Sequence, residues 1–261
     1  MKRTPTKVSI QTVPEQFHQL ILGSDVYDSS CSPEARVLFI DKGEGFYLKS
    51  APKGTLEAEA QMTAYFHSKG LSAEVLAYES LDRDWMLTAR VPGEDCTHAQ
   101  YLAQPERLCD ILGERLRMLH ETDYAQCPVK DRMIAYKALA ETNYRTGSYD
   151  KSQFPDSFGY ASAEEAWSVV QRDGHLLKAD ALIHGDYCLP NVMLDDWRFS
   201  GFIDVGNGGV GDRHIDLFWG AWTLWFNLKT DRYTPRFLDA YGRDRIDTDK
   251  LRIVAAYEVF G

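Results

Sequence analysis

Hydrophobic residues change period once along this chain, near its first third, and that change leaves few folds open. From residue 35 to residue 90 the apolar positions read as strands. ARVLFID and GFYLKS flank Lys42-Gly43-Glu44-Gly45, and EVLAYES and DWMLTAR flank Leu81-Asp82-Arg83. Such polar, glycine-bearing breaks let a chain reverse between paired strands. Between the two pairs, residues 55–68 predict a helix with Leu56, Ala60, Thr63 and Phe66 on one face and Gly70 as its stop. VPGED, residues 91–95, interrupts the chain. Beyond it the spacing is helical, with Leu108, Ile111, Leu112, Leu116 and Leu119 as an apolar stripe. The exceptions are the stretch LIHGDYCLPNVML and RFSGFID, the latter a short hairpin-like insertion. No internal repeat is visible. The expectation is an α+β protein with a small sheet-rich lobe over residues 1–91 and a larger, mainly helical lobe over residues 92–261.

The chain has 261 residues, enough to bury a sizeable core. Its 29 basic against 39 acidic residues give a net charge of -10. That weighs against nucleic acid and anionic membrane as partners, and mildly for a cationic small-molecule ligand. Cys31, Cys96, Cys109, Cys127 and Cys188 are scattered and form no C-x-x-C pair. Neither a disulfide framework nor a zinc site is indicated, so a reducing, cytoplasmic setting is expected. The start, MKRTPTKVSIQTVPEQ, lacks the apolar core of a secretory signal. The greasiest run, LFWGAWTLWF, is about half the length needed to span a bilayer. It reads as a helix buried in a core, with Trp219, Trp222 and Trp225 as core residues rather than a stacking surface. A monomer or weak dimer is expected.

Chemistry concentrates in HGDYCLPN, where Asp186 follows His184-Gly185 and Asn191 stands five residues later. Alone, the aspartate fits a turn or a cap. A second signal follows: FSGFIDVG ends an apolar strand in Asp204 and then loosens into glycines. Protein kinases use this set, with one aspartate orienting the acceptor hydroxyl and an asparagine and a later aspartate holding magnesium. Phosphoryl transfer needs hard oxygen ligands and a positioned carboxylate more than covalent help. The triphosphate then falls to the first lobe, where GFYLKS supplies Lys49 and the following helix supplies Glu57 or Glu59 as its partner. The loop before the first long strand, DSSCSPEARV, has no G-x-G-x-x-G; Ser30, Ser32 and local backbone N–H groups are its phosphate-binding candidates. His184 reads as scaffold and Asp216 as an anchor of the helices that follow.

With these residues in place, the sequence resembles the aminoglycoside 3′-phosphotransferases over nearly its whole length. RDWMLTARVPGED, the helix ending LRMLH, HGDYCLPNVM, RFSGFIDVG and GDRHID fall in that family's order and spacing. The resemblance implies a protein-kinase-like two-lobed fold, ATP or GTP as donor with Mg2+, and a small-molecule hydroxyl as acceptor. It points to Lys49 and Glu59 on the nucleotide phosphates, Ser32 in the phosphate loop, and Thr88 to Val91 at an adenine-binding hinge. It makes Asp186 the acceptor-orienting base, with Asn191 and Asp204 as magnesium ligands.

The departures lie on the acceptor side. Asn207 and Trp222 stand where the family carries arginines, and Tyr257 stands where it usually has aspartate. In GSYDKSQFPDSFGY only Asp150 and Asp156 remain of an acidic substrate loop, and YEVFG retains Glu258. Asp150, Asp156 and Glu258 are therefore the expected carboxylates for a cationic aminoglycoside. A kinase of another small hydroxyl compound, such as a macrolide, an amino-alcohol or a metabolite, is the second reading. A non-catalytic nucleotide-binding protein is the third.

Overall fold

Residues 35–90 form strands paired around one helix, joined by an amino-terminal stretch that carries no strong periodicity of its own. The structure, a computed structural model, describes residues 3–149 and 158–261. These divide into two compact units: residues up to His98 with Pro190–Gly206, and Ala99–Leu189 with Asn207–Gly261.

In the first unit β1 (Thr4–Pro5), β2 (Asp25–Asp28), β3 (Arg36–Asp41), β4 (Phe46–Pro52), β5 (Val75–Ser80) and β6 (Arg83–Ala89) make one antiparallel sheet. Its order is β1-β2-β3-β4-β6-β5. The one-turn helix α1 (His18–Ile21) and the longer α2 (Glu57–Ser68) accompany it. Strand alternation puts Leu38, Ile40, Leu48, Trp85 and Leu87 in one cluster with Val13 and Phe17. VPGED is more than a connector. Gly93 adopts φ +86, and a Cβ there would lie 2.1 Å from the Leu194 carbonyl oxygen. That close approach lets β7 (Glu94–Asp95) pair with a strand from much later in the chain.

The second unit takes up α3 (Ala99–Leu102), α4 (Pro105–His120), α5 (Arg132–Thr146), α6 (Ala163–Asp173) and β8 (Ala181–Ile183). The chain then returns to the first unit with β9 (Val192–Asp195) and β10 (Arg198–Phe202), which form a three-stranded sheet ordered β10-β9-β7. Their turn, Asp196-Trp197, has positive φ at both residues, the twist a two-residue hairpin demands. β11 (Gly209–Gly211), α7 (His214–Leu228), α8 (Thr234–Tyr241) and α9 (Thr248–Glu258) complete the second unit. Asp131, Ser162 and Asp247 cap α5, α6 and α9 through side-chain oxygens that accept from backbone N–H groups. The core of this unit gathers Met133, Ala166, Val170, Ile183, Ile215, Val254 and Phe260.

The tryptophan series corrects the sequence expectation. On α7, Leu217, Gly220, Thr223 and Leu224 are buried, but Trp225 is 37% and Phe226 47% exposed. A three-residue step turns a helix by about 300°, so each tryptophan lies about 60° behind the last. Trp219 and Trp222 are half-buried, and by Trp225 the series has rotated out of the core.

Among the described residues no disulfide forms, and all five cysteines are thiols. No helix among the described residues is long and apolar enough to cross a membrane.

Candidate functional site

In the first unit one lysine organises the polar chemistry. Lys49 lies on β4 between buried Leu48 and Ser50, opposite Val37 of β3 and Met86 of β6. Its Nζ donates to both oxygens of Glu59, each at 2.8 Å, and to Oδ1 of Asp204 at 2.8 Å. Burial opposes the lysine's charge, but the Glu59 and Asp204 carboxylates outweigh it and hold its pKa above the ordinary value. Burial also raises Glu59, helped by the negative charge of Asp204 and opposed by Lys49. The choice between two glutamates is settled by helix register. Glu59 is buried, whereas Glu57 is exposed and accepts from Gln61 at 3.4 Å.

Asp84, which sequence reasoning passed over, fixes the entry of α2. Its carboxylate is fully buried and accepts from the Leu56 N–H at 2.9 Å and the Ser80 hydroxyl at 2.7 Å. Burial disfavours its charge, yet the Leu56 N–H, Ser80 hydroxyl and Gly54 N–H overcome that and bring its pKa down to about 2. An acid opening an apolar strand, in RDWML, was the signal available.

Asp204 follows the end of β10 with φ +58, a left-handed conformation uncommon outside glycine. Its side chain is 56% exposed, against 17% for Lys49. Gly206 makes this approach to α2 possible: a Cβ there would lie 3.2 Å from that of Glu59. Asn191 is buried where the chain enters β9, and its carbonyl accepts from the Ile203 N–H at 3.0 Å. The β9–β10 register, Val192 opposite Phe202, thus brings Asn191 and Asp204 to the same end of one hairpin. A carboxylate and a carboxamide are hard oxygen donors, a set that suits magnesium with its remaining positions left to water and phosphate oxygens. No group of three or more His, Cys, Asp or Glu side chains able to hold a metal occurs among the described residues.

Ser32 lies in the exposed loop between β2 and β3, where its hydroxyl bonds the Glu34 carboxylate and lowers that acid's pKa. In the same loop the Ser30 hydroxyl accepts from the Val37 N–H at 2.9 Å. Thr88 is half-buried near the end of β6, and Val91 is buried just beyond it, against Gly201. Among the described residues, the hydrogen bonds of Lys49 go to Glu59 and Asp204, and Ser32, Thr88 and Val91 lie outside that set.

In the second unit Asp186 stands on a short loop after β8, held by buried groups. Asp216 on α7 accepts from the His184 N–H at 2.7 Å and the Gly185 N–H at 2.8 Å, and its carboxylate also meets His120 Nε2 at 3.1 Å. Asp216 therefore anchors this loop, beyond the helix-anchoring role its sequence context suggested. Burial lowers the pKa of His120. His184 is buried scaffold: its Nδ1 accepts from the Asp186 N–H at 3.3 Å. Thr223, two turns on from Asp216, accepts from the Leu189 N–H at 3.2 Å and ties down the far end of the loop. Gly185 has φ +81, and a Cβ there would lie 2.0 Å from the Asn207 carbonyl oxygen. Arg132 Nη2 donates to the Asn207 side-chain oxygen at 2.6 Å, so a guanidinium from α5 reaches this position.

Glu258 closes this set. It is buried at the end of α9, where Oε1 accepts from the Tyr136 hydroxyl at 2.8 Å and the Trp219 indole N–H also bonds the carboxylate. Burial raises its pKa to about 7, against these two donors and with further repulsion from Asp186 and Asp216. Tyr136 had no sequence signal, since 122 residues separate it from its partner. Asp150 and Asp156 lie outside the described residues.

The chain is similar to known proteins over most of its length. The model of the phosphotransferase enzyme family matches residues 32–254. The chain is 49% identical to a probable aminoglycoside 3′-phosphotransferase of Lactococcus lactis subsp. lactis (strain IL1403), over 98% of this chain and 97% of that protein. Among solved structures, an aminoglycoside-3′-phosphotransferase of type VIII superposes with TM-score 0.76 at 24% identity, covering 92% of this chain and 94% of that one. An aminoglycoside phosphotransferase from Streptomyces rimosus, in complex with ADP and streptomycin, superposes with TM-score 0.71 at 21% identity, over 86% of this chain and 90% of that one. The two-lobed, kinase-like α+β fold expected from the sequence is the fold of these neighbours.

Proposed function

Since the chain belongs to the phosphotransferase enzyme family, among its aminoglycoside 3′-phosphotransferases, we propose that it transfers the γ-phosphoryl group of ATP to a hydroxyl of an aminoglycoside antibiotic. The observation that carries this reading is the lysine held between Glu59 and Asp204. A cation fixed by one buried carboxylate beside a more exposed one is a phosphate clamp with a metal ligand next to it. The ADP complex of the S. rimosus protein supports a nucleotide as donor.

In this reading residues 1–91 bind the nucleotide and residues 92–261 supply the acceptor side. Lys49 binds the nucleotide phosphates, kept in place by Glu59. Ser32 and its neighbours cover the phosphates, and the segment from Thr88 to Val91 receives the base of the donor, ATP or GTP. Asn191 and Asp204 would hold Mg2+, which when bound neutralises charge developing on the phosphoryl oxygens. Asp186 accepts the proton of the acceptor hydroxyl and orients it for in-line attack. Asp150, Asp156 and Glu258 receive ammonium groups of the acceptor. The protein acts in the cytoplasm, as a monomer or weak dimer, and the reaction confers resistance to the antibiotic.

Purified protein with ATP, magnesium and a panel of aminoglycosides, followed by mass spectrometry, tests this directly. A gain of one phosphate on any of them is the expected result. Asp186→Ala should lower kcat by about a hundredfold or more while the KM for ATP holds, in the range of a positioned base. Clean turnover of a neutral alcohol with no phosphorylated aminoglycoside would overturn the reading.

A further inference from the structure

One row of side chains crosses the sheet of the first unit. Pairing sets Pro5 of β1 opposite Tyr27, Tyr27 opposite Phe39, Phe39 opposite Tyr47, and Tyr47 opposite Thr88. Directly paired residues share a face, so all five lie on one side of the sheet. Lys49, two residues along β4 from Tyr47, lies on that side too, about 7 Å away along the strand. The rings of Tyr27, Phe39 and Tyr47 follow one another at 6.1 and 5.2 Å between centres. Tyr47 therefore stands between the lysine proposed for the phosphates and the segment proposed for the base.

Onto this row the chain lays Arg3, just ahead of β1. Its Cζ lies 3.6 Å from the Phe39 ring centre, and its Nη2 donates to the Tyr47 hydroxyl at 2.9 Å. A guanidinium over an aromatic face at this distance is attracted to the ring. Among the described residues no carboxylate pairs with it, and its buried Nε has no acceptor. A buried donor left unmet opposes stability, so folding energy alone does not explain the placement. Its effect falls on the half-buried Tyr47. A guanidinium only donates, so the hydroxyl accepts from Arg3 and keeps its own proton to give. No described residue accepts that proton. Hydrogen bonds in series polarise one another, and a cation behind the hydroxyl makes it the stronger donor.

We propose that Arg3 is a positioning residue of the nucleotide site, which directs the Tyr47 hydroxyl to donate to a ribose hydroxyl of the bound nucleotide. This rests on the kinase reading above and deepens its nucleotide half.

Isothermal titration calorimetry of the full chain with magnesium and ATP, 2′-deoxy-ATP or 3′-deoxy-ATP provides the test, on wild type, Arg3→Ala, Tyr47→Phe and the double variant. Tyr47→Phe keeps the ring and should weaken ATP about fivefold, the worth of one net hydrogen bond. Arg3→Ala should weaken it less, by about twofold to threefold, and the double variant no more than Tyr47→Phe alone, because the two act through one bond. Toward the deoxynucleotide that lacks the bonded hydroxyl, Tyr47→Phe should change nothing. Thermal melting checks folding; should Arg3→Ala fail to fold, Arg3→Met, which keeps the packing, takes its place. A Tyr47→Phe variant with wild-type ATP affinity, or one weakened alike toward all three nucleotides, overturns the inference. Additive losses in the double variant overturn the role of Arg3. Wild type that binds ATP yet phosphorylates no aminoglycoside overturns the acceptor reading and leaves this one standing, whereas failure to bind ATP overturns both.

Discussion

Lys49 has two carboxylate partners of unequal kind, and the inequality predicts how substitutions rank. Glu59 is buried and spends both oxygens on the lysine, whereas Asp204 gives one oxygen and keeps a more exposed side chain. Lys49→Ala should raise the KM for ATP by about tenfold or more, the loss of a charge-assisted contact to phosphate. Glu59→Ala should act in the same direction more weakly, by freeing the lysine to wander, and Glu57→Ala should leave all kinetic constants near wild type. Measured KM values for ATP and acceptor check the ranking; equal effects at the two glutamates would remove the pair's basis. Glu258 gives a prediction in pH. Its folded-state pKa, about 7, lies above the ordinary 4.5, so folding holds its proton more tightly than the unfolded chain does. The stability this proton supplies is complete below about pH 4.5, is lost as pH rises to about 7, and changes no further above that. Glu258→Gln keeps an oxygen for Tyr136 and removes the buried charge. The variant should therefore melt higher than wild type at pH 8, and the gain should vanish towards pH 5 in melting curves taken across that range.

The helix α2 shows how an element transmits its anchoring to a site. Asp84 satisfies backbone N–H groups where the chain enters the helix, and Glu59 lies in the helix's first turn. Asp84→Ala would strand those donors in a fully buried place, at about 1–3 kcal/mol. For a chain of this size the melting temperature should fall by several degrees, with a rise in the KM for ATP as Glu59 loses its footing. Differential scanning calorimetry together with ATP kinetics checks both halves; a normal melting temperature would show that Asp84 is dispensable. At this scale much was legible beforehand. The hairpins β3–β4 and β5–β6, the helix α2 and the amphipathic α4 follow from alternation, glycine turns and a heptad-like stripe, signals that reside within a few residues. The Lys49–Glu59 pair was legible because strand and helix adjoin in sequence, though choosing Glu59 over Glu57 required the register. β1 and β2 were not legible, being short segments whose pairing with β3 supplies the order their own pattern lacks. Tyr136 and Asp216 were hidden as site residues for another reason: their partners lie 122 and 32 residues away, beyond any local pattern. The α7 aromatics were misread because apolar composition was taken for burial on every side, and a helix needs only one buried face.

At the scale of the whole molecule, the chain does not build its two units one after the other. Having left the first at His98, it comes back for Pro190–Gly206 and leaves again. Those seventeen returning residues (190 to 206) contribute β9, the partner of β7, with β10 on its other side, and Phe202, whose ring meets Phe66 of α2 at 6.2 Å. They also bring in Asn191 and Asp204. A fragment ending at His98 should consequently lack the near-ultraviolet circular dichroism of fixed aromatic packing and bind a hydrophobic dye. The same fragment with residues 190–206 joined by a flexible linker should recover the native-like spectrum, and recovery by the shorter fragment alone would contradict this. The return also constrains inheritance. Exchange of the first unit between related genes requires breakpoints at three junctions, after residues 98, 189 and 206, so a single crossover that supplies a new phosphate-side lysine leaves the old hairpin, with Asn191 and Asp204, in the recipient. The lysine and the two proposed metal ligands are thus dealt from separate stretches of DNA, and any chimera assembled by one cut must reconcile parts that were selected in different hosts.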